Sequence, residues 1–397
     1  MNKRYCIFSF FAGSGFLDLG FELSGFHIAY VNEIFSPFMQ AYRYSRQCLN
    51  LPLPEYGYSE GEAADVTRLI AGETALHLGE LVKDSRRNNE MVGFIAGPPC
   101  PDFSVGGKNR GQEGDKGRLS AAYVELICQQ QPDFFLFENV KGLWRTQKHR
   151  VFFEDCKNRL NQAGYVLTER LINAIEYGVP QDRDRIILLG FRKDLIKEMG
   201  IKIDDNDKVL PEGFFPWNSQ TLYPKSQAFA YSWPTRDLFK EDSILPCVDG
   251  IPQELTVESW FQQNDVMNHP NAEHCFQPKA GIKRFAVVDE GDDSRKSFKR
   301  LHRWRYSPTA CYGNNEVHLH PYKVRRLSVA EVLAIQSLPK DFVLPAAMTL
   351  TNMFKTVGNG VPFLAAQGIA KSMIEFLEVR EWDDYGKISR KIPEKSL

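Results

Sequence analysis

Hydrophobic positions follow two rhythms along this chain. Up to about residue 200, near-continuously apolar runs, YCIFSFF (5–11), HIAYV (27–31), VGFIA (92–96), FFLF (134–137) and IILLGF (186–191), alternate with helical patterns. Runs apolar at every position mark strands covered on both faces, so the alternation predicts a layered α/β sheet. FLDLGFELSG (16–25) reads as a helix closed by Gly25, and VFFEDCKNRLNQAG (151–164) as one closed by Gly164. Residues 201–321 break the rhythm: they are rich in Pro, Gln, Asn and aromatics, with few clear periods, and predict an irregular second domain. Regularity then returns. Ser328 and Glu331 make a capping box for a helix that stops before Pro339, and Pro362 opens a last helix from Phe363 to about residue 380. The expected organisation is a catalytic α/β domain over 1–200, an irregular domain over 201–321, and a return to the first domain over 322–397.

Composition adds limits. The chain has 397 residues, 43% hydrophobic and 25% charged, enough for a large core and two domains. No apolar run approaches a membrane span, and the apolar N-terminus breaks at Gly13 without a cleavage-like site, so a cytoplasmic protein is expected. Eight scattered cysteines without a CxxC pair argue against a zinc ribbon or a disulfide framework. His269, His274 and Cys275 lie close together but lack a second ligand pair, so no metal is expected. The net charge of −1 hides an uneven distribution: residues 204–278 hold 4 Lys/Arg against 12 Asp/Glu, residues 279–326 hold 12 against 5. The asymmetry reads either as two differently charged solvated faces or, for the basic segment, as a local surface for a polyanion.

Candidate chemistry gathers at strand ends. The first strand runs through FFAGSGF into a helix, and two glycines there let the backbone pass close to a ligand at a helix N-terminus. Glu33, 18 residues past Gly15, stands where a ribose hydroxyl pair would be held. Asp65 is a third polar group on that edge, and Phe11 is suited to stack on an adenine. These residues suggest an adenosine-containing cofactor. In GFIAGPPCPDFS (93–104), Cys100 sits between Pro99 and Pro101, either a buried structural cysteine or, in so stiffened a loop, an aimed nucleophile. FENV puts Glu138 directly after a buried strand, and QDRDR places Arg183 and Arg185 two apart at the entry to another. A thiol, an acid and two guanidiniums at strand ends make a site for a polar, partly anionic substrate.

These segments resemble, in their order, the DNA (cytosine-5)-methyltransferases of bacterial restriction–modification systems. FAGSGF, the acid of VNE, GPPC, ENV and QDRDR are followed, after a variable gap, by RRLSVAEVLAIQSLP and VGNGVP. The resemblance implies a Rossmann-like S-adenosylmethionine-dependent methyltransferase sheet with a smaller target-recognition domain. It implies S-adenosylmethionine as methyl donor and a flipped-out cytosine in double-stranded DNA as target. The donor would be lined by Phe11, Gly13, Ser14, Phe16, Glu33, Ile34, Asp65, Val66, Pro99, Leu119, Asn359, Gly360 and Val361. Cys100 would be the nucleophile, Glu138 the group on cytosine N3, Arg185 the contact to O2, and Arg183 a support. Ser104, Arg295, Lys296, Lys299, Arg300, Arg303 and Arg305 would meet DNA. A cognate restriction endonuclease is an expected partner, and the chain is expected to act as a monomer. Two positions depart from the family pattern: Pro101 replaces its usual Gln, and Gly360 its usual Ser. An RNA substrate, as in one branch of the family, and a DNA-binding module without catalysis are the competing readings; the basic–aromatic middle and the intact Cys100, Glu138 and Arg185 argue against them.

Overall fold

The computed structural model describes residues 4–58, 64–99, 115–278, 282–294, 297–309, 312 and 316–379. Six strands, β1 (Arg4–Phe10), β2 (His27–Asn32), β3 (Glu90–Ala96), β4 (Phe134–Val140), β5 (Tyr165–Asn173) and β6 (Asp184–Arg192), form one sheet in the order β2-β1-β3-β4-β6-β5. β2, β1, β3 and β4 run parallel, whereas β6 is antiparallel to both its neighbours. Helices α1 (Phe16–Glu22), α2 (Ser36–Cys48), α3 (Gly72–Arg87), α4 (Asp115–Gln130), α5 (Lys141–Arg145), α6 (Gln147–Gln162) and α7 (Lys193–Glu198) belong to this half. The chain continues through α8 (Lys225–Ala228), α9 (Val257–Gln263), α10 (Ile282–Phe285), α11 (Val329–Ile335), α12 (Leu350–Asn359) and α13 (Phe363–Leu377).

The near-continuous apolar runs are strands because both sheet faces are covered. One face buries Ile7, Ile28, Ile95, Leu136 and Ile187 under α1 and α13. The other buries Phe8, Phe10, Phe94, Phe135 and Phe137 under α3, α4 and α6. Five of the six strands lie where the apolar runs predict them; β5 does not announce itself. It is an edge strand whose middle, Thr168, Glu169 and Arg170, is only half-buried, so its pattern is too polar to read as core. The helix predicted over 16–25 ends at Glu22, with Gly25 in the turn that follows at φ 105°. The one predicted from residue 151 begins at Gln147 and is followed by Gly164 at φ 94°. The Ser328–Glu331 capping box forms as expected.

The irregular middle is not a separate globule throughout. Ile201, Leu210 and Phe215 pack into the α13 face of the sheet. Trp260 and Phe261 of α9 share a cluster with α11, α12 and the outer side of α1. That shared cluster joins α1 and α2 to α9, α11 and α12.

Candidate active site

β1 lies between β2 and β3, so its carboxyl end is the point where connections leave in opposite directions and open α/β sheets bind ligands. The chain bends sharply there. Phe11, Gly13 and Gly15 have φ of 53°, 59° and 85°, and Gly15 is the N-cap of α1. A Cβ on Gly15 would stand 2.7 Å from the Tyr42 ring, so the motif glycine is needed for packing as well as conformation. Glu33 closes the turn from the next strand. Its Oε2 accepts from Gly13 N–H at 2.9 Å and its Oε1 from Phe35 N–H at 2.7 Å. Burial pushes this carboxyl up, while those two N–H groups and Lys355 oppose the shift. Asp65 caps the short 3-10 turn Val66–Arg68, its Oδ1 taking both N–H and hydroxyl of Thr67 at 2.9 Å. Phe11, half-buried, stands edge-on to Tyr123 at 6.5 Å. Ile34 is half exposed beside Glu33, and Asn359 is exposed at the end of α12.

Other positions expected at the donor contribute differently. The side chains of Phe16, Val66 and Val361 are in the core, and Ser14 Oγ is hydrogen-bonded to Thr356 Oγ1 at 2.7 Å. Their side chains face the core, most clearly that of Phe16. Its ring packs edge-on against Phe342 at 5.1 Å and fills the space next to Gly360, where a Cβ would come within 2.2 Å of it. The Gly360 departure therefore has a packing cause. Leu119 is half-buried against the aromatic face of the sheet, and Pro99 is half-buried at the end of a described segment.

The substrate side is built from β4 and β6. Glu138 is buried, and Arg185 Nε meets its Oε1 at 2.8 Å. Burial pushes the Glu138 carboxyl up against the opposing pull of Arg185 and Arg183. A Cβ on Gly97, the residue that opens GPPC, would lie 2.8 Å from Glu138 Oε2, so this loop leaves β3 directly against the acid. Cys100 and Ser104 themselves lie outside the described residues. Arg183 is buried and donates through Nη2 to the carbonyls of Gly358 at 2.8 Å and Gly360 at 3.1 Å. It ties the last motif to β6.

This switch-point cradle, with an acid and an arginine paired across β4 and β6, lies within residues 5–375, which match the family model of the C-5 cytosine-specific DNA methylases. The chain belongs to this family. The methylase therefore transfers a methyl group from S-adenosylmethionine to C5 of cytosine in DNA. Type II methyltransferase M.NmeDI of Neisseria meningitidis serogroup C is 55% identical over 377 residues, 95% of this chain and 85% of the relative. Type II methyltransferase M.MthTI of Methanothermobacter thermautotrophicus is 27% identical, covering 94% of this chain and 98% of its own. Among solved structures, the S. pombe Dnmt2 methyltransferase aligns with TM-score 0.55 at 12% identity, over 94% of this chain and 98% of its own, a likeness of fold. The cradle fits the donor. Glu33 is oriented by two N–H groups, which leaves lone pairs on both oxygens for the ribose hydroxyls.

The methylase departs from expectation in its basic segment. Arg300 is fully buried, and its guanidinium donates to the carbonyls of Val288 at 2.7 Å and Lys323 at 3.0 Å, as well as to those of His320 and Phe285. Arg303 is buried against Glu290, with Nε to Oε1 and Nη2 to Oε2 both at 2.8 Å, and lies over the Tyr322 ring. Arg305 pairs with Asp293 at 2.9 Å, and Trp304 Nε1 donates to Leu245 O at 2.7 Å. Arg300 and Arg303 are thus internal struts and not a DNA-facing surface. A local sequence cannot distinguish a charge that faces water from one that satisfies carbonyls. Lys299 is half-buried, while Arg295 and Lys296 lie outside the described residues.

A second basic group was not legible at all. Lys141 of α5 and Lys225 of α8 each place Nζ 2.5 Å from Asp184, next to Arg185. Burial works against the charge on Asp184, yet the hydrogen bonds from Lys141, Lys225 and Asn173 hold its carboxyl below the usual range. Among the described residues no helix is long and apolar enough to cross a membrane.

Proposed function

We propose that this chain is a type II, sequence-specific methyltransferase acting on duplex DNA through a covalent bond between Cys100 and cytosine C6. The observation that carries the reading is the joint Glu138–Arg185–Gly97. A buried acid and a guanidinium meet at 2.8 Å, and the loop leading to the only thiol between Cys48 and Cys128 departs beside them. The 55% identity to a type II methyltransferase supports a restriction–modification role, with an endonuclease of the same specificity as the proposed partner; the chain is proposed to act as a monomer.

Cytosine C6 is unreachable in stacked DNA, so the base must leave the helix. The Cys100 thiolate then adds to C6, helped by Arg183 and Arg185, whose charges favour the anion. Glu138, which burial helps to keep its proton, donates to N3 as negative charge develops, and Arg185 neutralises O2. With the ring held as an enamine, C5 is nucleophilic. S-adenosylmethionine, held by Glu33, Asp65 and the FAGSGF turn, supplies an electrophilic methyl group. Methyl transfer leaves the donor as its demethylated thioether, a base takes the C5 proton, N3 returns its proton to Glu138, and the C6–S bond breaks to regenerate the thiolate.

The test is Cys100→Ser. Methylation of duplex DNA by labelled donor should vanish while the melting temperature stays unchanged. The wild-type chain, but not the variant, should form a trapped adduct with duplex DNA carrying 5-fluorocytosine. Full turnover by the Ser variant would sink the covalent mechanism, and preference for RNA over duplex DNA would move the substrate to the other branch.

A further inference from the structure

We propose that Cys6, His27 and Glu90 form a zinc site at the edge of the sheet opposite the donor cradle. Each begins or nearly begins a strand. Cys6 of β1 is in register with His27 of β2 and with Val92 of β3, and Glu90 lies two residues before Val92 on the same face. One ligand atom from each of the three lies within 4.8 Å of the other two. Tetrahedral zinc with thiolate, imidazole and carboxylate ligands needs separations of roughly 3.5 Å, so an inward shift of roughly 1 Å completes the geometry.

Two further features point to a cation. His27 Nε2 is 2.9 Å from Glu55 Oε1, while its Nδ1 is buried without a hydrogen-bond partner. A carboxylate on one imidazole nitrogen and a lone pair presented by the other is the arrangement that orients metal-bound histidines. The donor set also selects the ion. A thiolate and a carboxylate balance a charge of two, and sulfur with nitrogen favours zinc over magnesium or calcium. Cys6 is fully buried, and its Sγ lies 3.5 Å from Ser85 Oγ of α3. Arg4, mostly exposed, stands 3.7 Å from Glu90 Oε1 and can swing clear. Binding forms a Zn–S bond and releases the thiol proton to solvent; water takes the fourth position. The ion would join the starts of β1, β2 and β3, whose far ends carry Phe11, Glu33 and the GPPC loop.

The full-length chain, stripped with a chelator, is titrated with Co²⁺ as a spectroscopic substitute and with Zn²⁺ in thermal melts. One equivalent of Co²⁺ should produce a thiolate-to-metal absorption band, and Zn²⁺ should raise the melting temperature. Cys6→Ser should remove the band, and His27→Gln and Glu90→Gln, nearer the surface, should each weaken Zn²⁺ binding at least tenfold. Absence of the band in the wild-type chain, or a melting temperature indifferent to Zn²⁺, overturns the proposal. So does unchanged stoichiometry in all three variants, which would place the ion elsewhere, for example at His274 and Cys275.

Discussion

Just past β2, Glu33 uses one lone pair on each oxygen to hold the turn proposed to cradle the donor. Glu33→Ala should weaken S-adenosylmethionine binding by about 1–3 kcal/mol, the range for a lost buried hydrogen-bonding partner, as read by calorimetry. Glu33→Gln keeps one acceptor and should fall between. Position in the motif made Glu33 legible. Asp18 was not, because its partners come from other elements: Ser9 Oγ at 2.6 Å from β1 and Tyr42 OH at 2.9 Å from α2. Burial pushes Asp18 up from 3.8 to about 6, against those hydrogen bonds and Arg46. A raised folded value means the native state holds more protons than the unfolded chain between those two pH values. Stability therefore falls as pH rises from about 4 through about 6, the window set by this shift. Asp18→Asn, measured as melting temperature against pH, should flatten that part of the profile.

At the scale of elements, the last motif is seated by steric fit as much as by hydrogen bonds. Gly360 ends α12 at φ −64°, a conformation open to any residue, so only the Phe16 ring of α1 forbids a side chain. Gly360→Ala should cost about 1–3 kcal/mol by overpacking. Phe16→Leu in the same background should recover part of that loss, and urea midpoints of the four proteins give the coupling. Additive effects would mean that the two residues do not meet. Arg183 holds the same loop from β6 through the Gly358 and Gly360 carbonyls. The sequence placed Arg183 two residues from Arg185, but their separate tasks, loop support and acid pairing, follow from which elements face each.

For the whole molecule, the distribution of charge decides where DNA is met. Arg300→Met leaves four carbonyl acceptors without their donor, at about 1–3 kcal/mol each, so it should unfold the middle region before any effect on DNA can be read. Lys141→Gln and Lys225→Gln, beside Arg185, should leave the fold intact. If these lysines meet phosphates, each variant should reduce the log–log salt slope of duplex binding by about 0.9. Lys299→Gln tests the half-buried end of the basic segment in the same way. Filter-binding curves at several salt concentrations, with circular dichroism on the same samples, separate the two effects.

The sequence alone located five of the six strands, the glycine turn, and the candidate residues Glu33, Glu138 and the arginine pair. Each is written locally, as an apolar run, a motif spacing or a charge placed where a buried strand ends. Tertiary structure decided what depends on distant partners. β5 is an edge strand recognised only by its pairing with β6. Arg300 and Arg303 turn inward because Glu290 and the carbonyls of Phe285, Val288, His320 and Lys323 surround them. Cys6, His27 and Glu90, far apart in sequence, converge only when three parallel strands take their register. Local periodicity reports which face a residue presents, and long-range packing alone reports what that face meets.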